Sequence, residues 1–170
     1  MEAQIIEEFK QNAIYRLDES TRMIKRALSE IGEAGVWVRP NHVSNSIGNL
    51  ILHLCGNIGQ YAIASLGELP DDRDRDAEFN AMEGLVKDEL FEKLDEIVNK
   101  AKATIQYATA EQLTKKREVQ GFTFSGIGIV MHVVEHYSYH TGQIAFWVKQ
   151  LVAKDLGFYD GVDLNIKNKN

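Results

Sequence analysis

The sequence contains few of the residues that cross-link or interrupt a polypeptide chain. Cys55 is the only cysteine among 170 residues, so no internal disulfide can form. Pro40 and Pro70 are the only prolines, and both lie between periodic stretches. Because proline is excluded from helix interiors, this distribution favours long helices with few breaks.

The sequence also lacks the features of a secreted or membrane-bound chain. No apolar run approaches the roughly 18 residues of a membrane span. The segment MEAQIIEEFK does not have the basic-then-apolar order of a signal peptide. We therefore expect a cytoplasmic protein that does not bind a membrane.

Acidic residues outnumber basic ones, with 25 Asp and Glu against 19 Lys and Arg and a net charge of −6. An acidic surface argues against binding to nucleic acid or to an anionic lipid surface. The one tight basic cluster, Lys115 to Arg117, is more typical of a solvated loop than of a phosphate-binding site. We expect no nucleic-acid partner.

The sequence does contain four long stretches with apolar residues spaced mostly three, four or seven apart, which predict amphipathic helices. The predicted helices cover about 2–31, 41–66, 85–107 and 125–153. The highly charged segment 70–80 predicts an exposed loop, and 108–124 predicts a connection that is extended in part.

These patterns predict an all-α fold, with a single four-helix-bundle domain over residues 1–170 and a C-terminal tail from about residue 155. The connections of roughly ten to eighteen residues are longer than the links of a simple up-down bundle. We therefore expect one or two long crossover connections. No internal repeat or interdomain linker divides the chain.

Three of the five histidines, His132, His136 and His140, lie four residues apart on the fourth predicted helix. Side chains one turn apart project from nearly the same side, so two imidazoles can bind one metal ion. At about 100° per residue, His140 lies at the edge of the apolar face, His136 on its flank and His132 nearest to solvent. An inward-facing site therefore favours the pair His136 and His140.

His53 lies on a polar flank of the second predicted helix, together with Asn57 and Gln60. If this flank meets the polar flank of the fourth helix, three imidazoles surround one point and leave a coordination position open, as in catalytic zinc sites. A lone half-buried histidine is more often hydrogen-bonded than a metal ligand. The patterns alone do not decide between these two interpretations.

Two segments resemble the DinB/YfiT-like family of metal-dependent four-helix-bundle proteins: GNLILHLCGNIGQY and HYSYHTGQIAFW. The family's H-x-x-G-N-like and H-x-x-x-H-x-G-Q patterns fall on His53, Gly56, Asn57, His136, His140, Gly142 and Gln143. The resemblance covers about residues 1–155. It implies helices in up-down-down-up order and frequently a homodimer. It also implies a pocket-facing site in which His53, His136 and His140 bind zinc, nickel or iron.

With this resemblance, Asn57, His132 and Gln143 become candidates for residues behind the ligands or in the pocket. Relatives include S-transferases and an isomerase that depend on a low-molecular-weight thiol. We expect a metal-dependent enzyme acting on a small molecule by thiol S-transfer or hydrolysis, because a bound metal makes water or a thiol nucleophilic. The alternatives are a non-catalytic metal-binding stress or sensor protein, and a bundle without metal. No side chain stands out as general acid or base.

Overall fold

The computed structural model describes residues 1–168 and shows an all-α fold, which confirms the predicted fold class. The α-helices are α1 Glu2–Ser29, α2 Glu33–Val36, α3 Ile47–Ile58, α4 Arg75–Asn80, α5 Lys87–Tyr107, α6 Ala110–Thr114 and α7 Gly126–Val152. A π-helical segment, Gly59–Leu66, continues α3, and strands β1 Lys116–Val119 and β2 Phe122–Ser125 form a hairpin. The up-down-down-up order stays a prediction. No helix within residues 1–168 is both long and apolar enough to cross a lipid bilayer.

The long helices coincide with the four predicted ones and enclose one hydrophobic core. α1 and α3 each pack against both α5 and α7. Each of these helices contributes fully buried apolar side chains, among them Leu17, Ile24, Ile51, Leu54, Leu94, Ile105, Tyr137 and Ile144. Full burial of such a side chain contributes about 1.5–3 kcal/mol. Core packing, more than helix propensity, therefore determines how α3 lies against α7.

Asn49 connects the start of α3 to α4. Its side chain is fully buried and forms a capping box with Ser46, in which each backbone N–H donates to the other side chain at 3.1 Å. The amide Nδ2 donates to the carbonyl of Glu78 at 2.9 Å and to the carbonyl of Ala81 at 2.7 Å. This one side chain therefore holds α4 against the helix that carries His53.

The segment 70–80 is not the exposed loop that its charges predicted. Residues 75–80 form α4, which Asp74 caps, because its Oδ1 accepts from the Ala77 N–H at 3.0 Å. The aspartates of the segment are exposed, but Glu78 is buried. The loop prediction was wrong for this helix because a single inward-facing turn has no apolar stripe by which to recognise it.

The connection before α7 contains the hairpin, in agreement with its predicted extended part. β1 and β2 are antiparallel, with Val119 opposite Phe122. Gln120 and Gly121 form the turn with φ of 50° and 78°. Ser125 then caps α7, because its Oγ accepts from the Gly128 N–H at 3.1 Å. The hairpin thus ends where the histidine-bearing helix begins.

The residues after α7 return to α1. Leu156 is fully buried, and its carbonyl accepts from Arg26 Nε at 2.9 Å. The carbonyl of Phe158 accepts from Arg22 Nη1 at 3.1 Å. The beginning of the predicted C-terminal tail therefore packs on α1, whereas its last residues, 169–170, lie outside the described part of the chain.

Replacing Asn49 by alanine is expected to lower the free energy of unfolding by about 1–3 kcal/mol, because the carbonyl of Glu78 loses its donor and that of Ala81 keeps only Arg39 Nη2 at 3.4 Å. Urea unfolding followed by circular dichroism measures the change. Asn12→Ala is the matched control, since that amide is exposed and bonds only within α1, to Glu8. We expect less than about 0.5 kcal/mol there. Equal losses in both variants would contradict the connecting role of Asn49.

Candidate metal centre

Three histidines meet between α3 and α7. His53 projects from α3, and His136 and His140 project from adjacent turns of α7. One ring nitrogen from each lies within 4.8 Å of the other two. The Nε2 atoms of His53 and His136 are 2.9 Å apart, although the residues are 83 positions apart in sequence. The structure therefore brings together the three histidines that the sequence patterns and the family resemblance singled out.

The histidine cluster is largely shielded from solvent. His53 and His140 are buried, and His136 is half-buried. Burial lowers the pKa of His136 to about 3, and the neighbouring imidazoles of His140 and His53 act in the same direction. Burial also lowers the pKa of His140. Both rings are therefore neutral near pH 7, which is the form that binds metal ions.

The donor set and the spacing are compatible with a divalent metal ion. Zinc–imidazole bonds of about 2.0–2.1 Å at a tetrahedral angle place two ligand nitrogens about 3.3–3.4 Å apart. The His53–His136 distance of 2.9 Å is slightly shorter, and the cluster spans at most 4.8 Å. Side-chain shifts of about 0.5–1.5 Å at these nitrogens bring the three together around one ion. Three neutral imidazoles suit zinc, nickel and iron alike.

Gln143 orients His140 from the surface side. Its Oε1 lies 2.7 Å from His140 Nδ1, and its Nε2 donates to the Tyr139 hydroxyl at 3.2 Å. An amide oxygen only accepts hydrogen bonds, so Nδ1 of His140 carries the proton. The lone pair of His140 is then on Nε2. Gln143, a predicted pocket or supporting residue, therefore contacts one of the three histidines directly.

On the inner side, His53 contacts an ion pair that the sequence did not predict. Its Nδ1 lies 3.0 Å from Oε2 of Glu78. Arg73 binds the same carboxylate through Nε at 2.7 Å and Nη2 at 2.9 Å. Burial raises the pKa of Glu78, but the hydrogen bonds from Arg73 and His53 outweigh it and hold that pKa below its usual value. Glu78 is therefore an anion behind the histidine cluster.

Arg73 is also bound by Gln60, which lies in the π-helical segment that continues α3. Its Nη1 donates to Oε1 of Gln60 at 2.9 Å, and Gln60 Nε2 donates to Asp71 at 2.6 Å. Gln60 follows His53 by two helical turns on the flank that the sequence predicted to be polar. The polar residues on this flank were therefore the one sequence signal that could have placed the charged segment 70–80 next to His53.

His132 lies beside the cluster and is held by other partners. Asn57 Nδ2 donates to its Nε2 at 3.2 Å. Its ring stacks on Tyr61 at a centroid distance of 4.0 Å and lies nearly parallel to the His136 ring at 5.2 Å. Tyr61 in turn donates from its hydroxyl to Gln120 in the hairpin turn at 3.0 Å. Asn57 and His132, both named from the sequence, therefore form one pair next to His136.

Cys55 is not placed for chemistry. It is buried, and burial raises the pKa of its thiol to about 12. The reactive thiolate form is therefore scarce at neutral pH. His42 is exposed in a turn and is not part of the histidine cluster. In the basic cluster, Lys115 pairs with Glu68 at 2.7 Å and Arg117 donates to the carbonyl of Gln112 at 2.8 Å.

The fold and the site together define a helical bundle with a three-histidine cluster, and comparison with known proteins identifies its family. The chain belongs to the family described as protein of unknown function DUF1572, whose model matches residues 4–159. The solved structure of a DinB-like protein, YjoA from Bacillus subtilis, is similar with a TM-score of 0.66 at 18% sequence identity. The match covers 87% of this chain and 96% of that one. The predicted DinB-like assignment is thereby confirmed. No curated protein matches the chain.

The metal-free protein is expected to lose stability as the pH falls below about 6.5, the pKa of an unfolded histidine. The folded pKa of His136 is about 3, so between these values the unfolded state binds the extra proton. The free energy of unfolding then rises with pH by up to about 1.4 kcal/mol per unit for each such histidine. The stabilisation is present above about pH 6.5 and lost on acidification.

Denaturant unfolding of metal-free wild type, His136→Gln and His42→Gln between about pH 4 and 7 measures this dependence. His136→Gln should show a shallower slope, because the buried group that resists protonation is gone. His42→Gln, in an exposed turn, should follow wild type. Three parallel curves would show that His136 does not contribute to the acid sensitivity.

Proposed function

We propose that the protein binds one divalent metal ion through His53, His136 and His140, and that it is a metal-dependent enzyme acting on a small molecule. The observation that carries the proposal is the convergence of three imidazole nitrogens within 4.8 Å from two helices of the core. Two of these rings are held neutral by burial. Three neutral nitrogen ligands leave a coordination position for a reactant, as in catalytic zinc sites.

The resident metal would be zinc, nickel or iron, because imidazole suits each of these ions. When bound, such an ion lowers the pKa of a coordinated water or thiol and so makes a nucleophile at neutral pH. The chain supplies the rest of the site. Gln143 orients the ring of His140, and burial keeps the ring of His136 uncharged.

A cavity of about 510 Å³ gives access to the cluster from outside α7. His132, Glu135, His136, Ser138 and Tyr139 line it. Its volume suits a small molecule rather than a macromolecule. Its lining mixes an aromatic ring, a hydroxyl and a carboxylate, so a polar substrate is favoured. Because His136 is both a proposed ligand and a wall of the cavity, a molecule bound there lies beside the metal.

The chain's own cysteine does not supply a nucleophile. Cys55 is the only cysteine, and its thiol is buried and protonated. A thiol-dependent reaction therefore needs a low-molecular-weight thiol from outside, and the S-transferase proposal itself comes from the resemblance to thiol-dependent relatives. Hydrolysis needs only water and is the other reaction that the site supports. A cytoplasmic location and a homodimer stay predictions.

Replacing any one of His53, His136 and His140 by alanine is expected to abolish stoichiometric metal binding. Elemental analysis of purified protein and competition titration with zinc measure the content and affinity. Wild type should bind about one ion per chain. Loss of a residue that only hydrogen-bonds to a metal ligand typically lowers metal affinity roughly 10–100-fold. Each of these variants loses a ligand itself, so its affinity should fall further.

Two histidines serve as controls for this experiment. His42→Ala, in an exposed turn, and His132→Ala, whose Nε2 is bound by Asn57, should both retain the metal. If the three cluster variants carry as much metal as wild type, the three-histidine site is wrong. If His132→Ala alone loses it, the ligand set is wrong.

The metal-loaded protein is expected to accelerate transfer of a low-molecular-weight thiol to the electrophile monochlorobimane. Fluorescence of the product measures the rate against the same concentration of free metal ion. His136→Ala should abolish the acceleration, and Cys55→Ser should retain it, because the buried thiol takes no part. No acceleration with several different thiols would contradict the S-transferase proposal and favour hydrolysis.

A further inference from the structure

The ring nitrogen of His53 that faces away from the cluster, Nδ1, lies beside one hydrogen-bond acceptor and one hydrogen-bond donor. Nδ1 lies 3.0 Å from Oε2 of Glu78 and 3.1 Å from Nη2 of Arg73. A carboxylate only accepts hydrogen bonds, and a guanidinium only donates them. Glu78 therefore requires a proton on Nδ1, whereas Arg73 alone would require a lone pair there.

The protonation of Nδ1 decides whether His53 can bind a metal through its other nitrogen. A neutral imidazole carries one proton, so a proton on Nδ1 leaves the lone pair on Nε2. Nε2 is the atom that faces His136 at 2.9 Å. Because Arg73 Nη2 already donates to Glu78 Oε2 at 2.9 Å, the carboxylate satisfies Arg73 and is the acceptor for Nδ1–H.

The backbone and a glycine are arranged so that the carboxylate can reach His53. A Cβ atom on Gly56 would lie 1.8 Å from Glu78 Oε1, so only glycine leaves room for the carboxylate at this point of α3. Asn49 binds the carbonyl of Glu78 and fixes its backbone. The side chains of Arg73 and Glu78 are only 3% and 9% exposed, which is a costly burial for an ion pair that serves as a mere anchor.

From these contacts we propose that Glu78, held by Arg73, is a positioning residue that selects the metal-binding tautomer of His53. The proposal rests on the proposed function, because it concerns one of the three proposed ligands. Carboxylates behind metal-binding histidines set the ring orientation and raise its basicity, and their loss costs about 10–100-fold in metal affinity. Glu78 occupies that position here, although it comes from a segment with the appearance of a solvated loop.

Glu78→Ala is the decisive change, because it leaves Arg73 as the neighbour of His53 Nδ1 at 3.1 Å. Arg73 should then donate to Nδ1, which moves the ring proton to Nε2 and blocks the metal-binding atom. We expect zinc affinity, measured by competition with a chromophoric chelator, to fall about 10–100-fold. Nuclear magnetic resonance of 15N-labelled histidine should show Nδ1–H in metal-free wild type and Nε2–H in the variant.

The double variant Arg73→Met with Glu78→Ala separates tautomer selection from a merely structural role. It removes the donor that enforces the wrong tautomer, so it should bind zinc more tightly than Glu78→Ala alone. A structural ion pair predicts no such recovery of affinity. If Glu78→Ala does not fold, Glu78→Gln keeps the volume, and the same two measurements apply to it. There the two donors of Arg73 compete for one amide oxygen, so we expect the same direction of change.

Two glycines give a matched pair that leaves Glu78 in the sequence. Gly56→Ala displaces the carboxylate and should weaken zinc binding, whereas Gly142→Ala, where a Cβ meets nothing within 4 Å, should not. Folded Glu78→Ala with wild-type affinity, or with Nδ1–H retained, overturns the inference. In that outcome, loss of zinc from His53→Ala in the same series would show that the metal site stands and that only the role of Glu78 fails. If wild type itself binds neither zinc nor nickel nor iron, the proposed function fails.

Discussion

The packing of α3 against α7 is the interaction on which the rest of the site depends. The spacing of His136 and His140 is a local property of one helix and would exist in an isolated α7. Their meeting with His53 is not local, because 83 residues separate His53 from His136. The two helices pack together in one hydrophobic core, to which Ile51 and Leu54 of α3 and Ile144 of α7 belong. The same apolar contact also removes water from the imidazoles, which is why burial is the first cause of their lowered pKa values.

Excluding water from a polar cluster requires that its outer atoms find partners within the protein. His53 is bound at Nδ1 by Glu78, and His140 is bound at Nδ1 by Gln143. Glu78 is matched by Arg73, which also donates from Nη1 to Gln60. Glu78 and Gln143 each accept the Nδ1 proton of a histidine, so the lone pair of that ring lies on Nε2, toward the space between the helices. Arg73 and Gln60 hold Glu78 in place. The ion pair behind His53 is thus a consequence of the same burial that shields the three imidazoles.

The sequence contained the repeating part of this structure but not the part made by single side chains. Apolar periodicity is averaged over many residues, so the long helices and the angular position of His140 near the core were predictable. His53 as a partner depended on two flanks meeting, which periodicity does not determine and the family resemblance supplied. Glu78 and Arg73 were missed because α4 is one short turn within a run of charges. Their burial depends on a glycine at 56 and on Asn49, which are contacts of tertiary structure.

The two sides of the cluster differ in how deeply their polar groups are buried, and this difference divides their roles. Behind His53, a buried carboxylate and guanidinium form a rigid pair with bonds of 2.7 and 2.9 Å. In front of His136 and His140, the hydrogen-bonding and stacking partners are neutral and nearer to solvent: the Gln143 amide, the Tyr139 hydroxyl and the ring of His132. The one carboxylate that lines the cavity there, Glu135, is exposed. An anion at the back strengthens the electron donation of a ligand without meeting the substrate. Neutral, partly exposed groups at the front can change partners when a molecule enters at little electrostatic cost. In the proposed site, the back therefore governs how tightly the ion is held, and the front governs which small molecule reaches it.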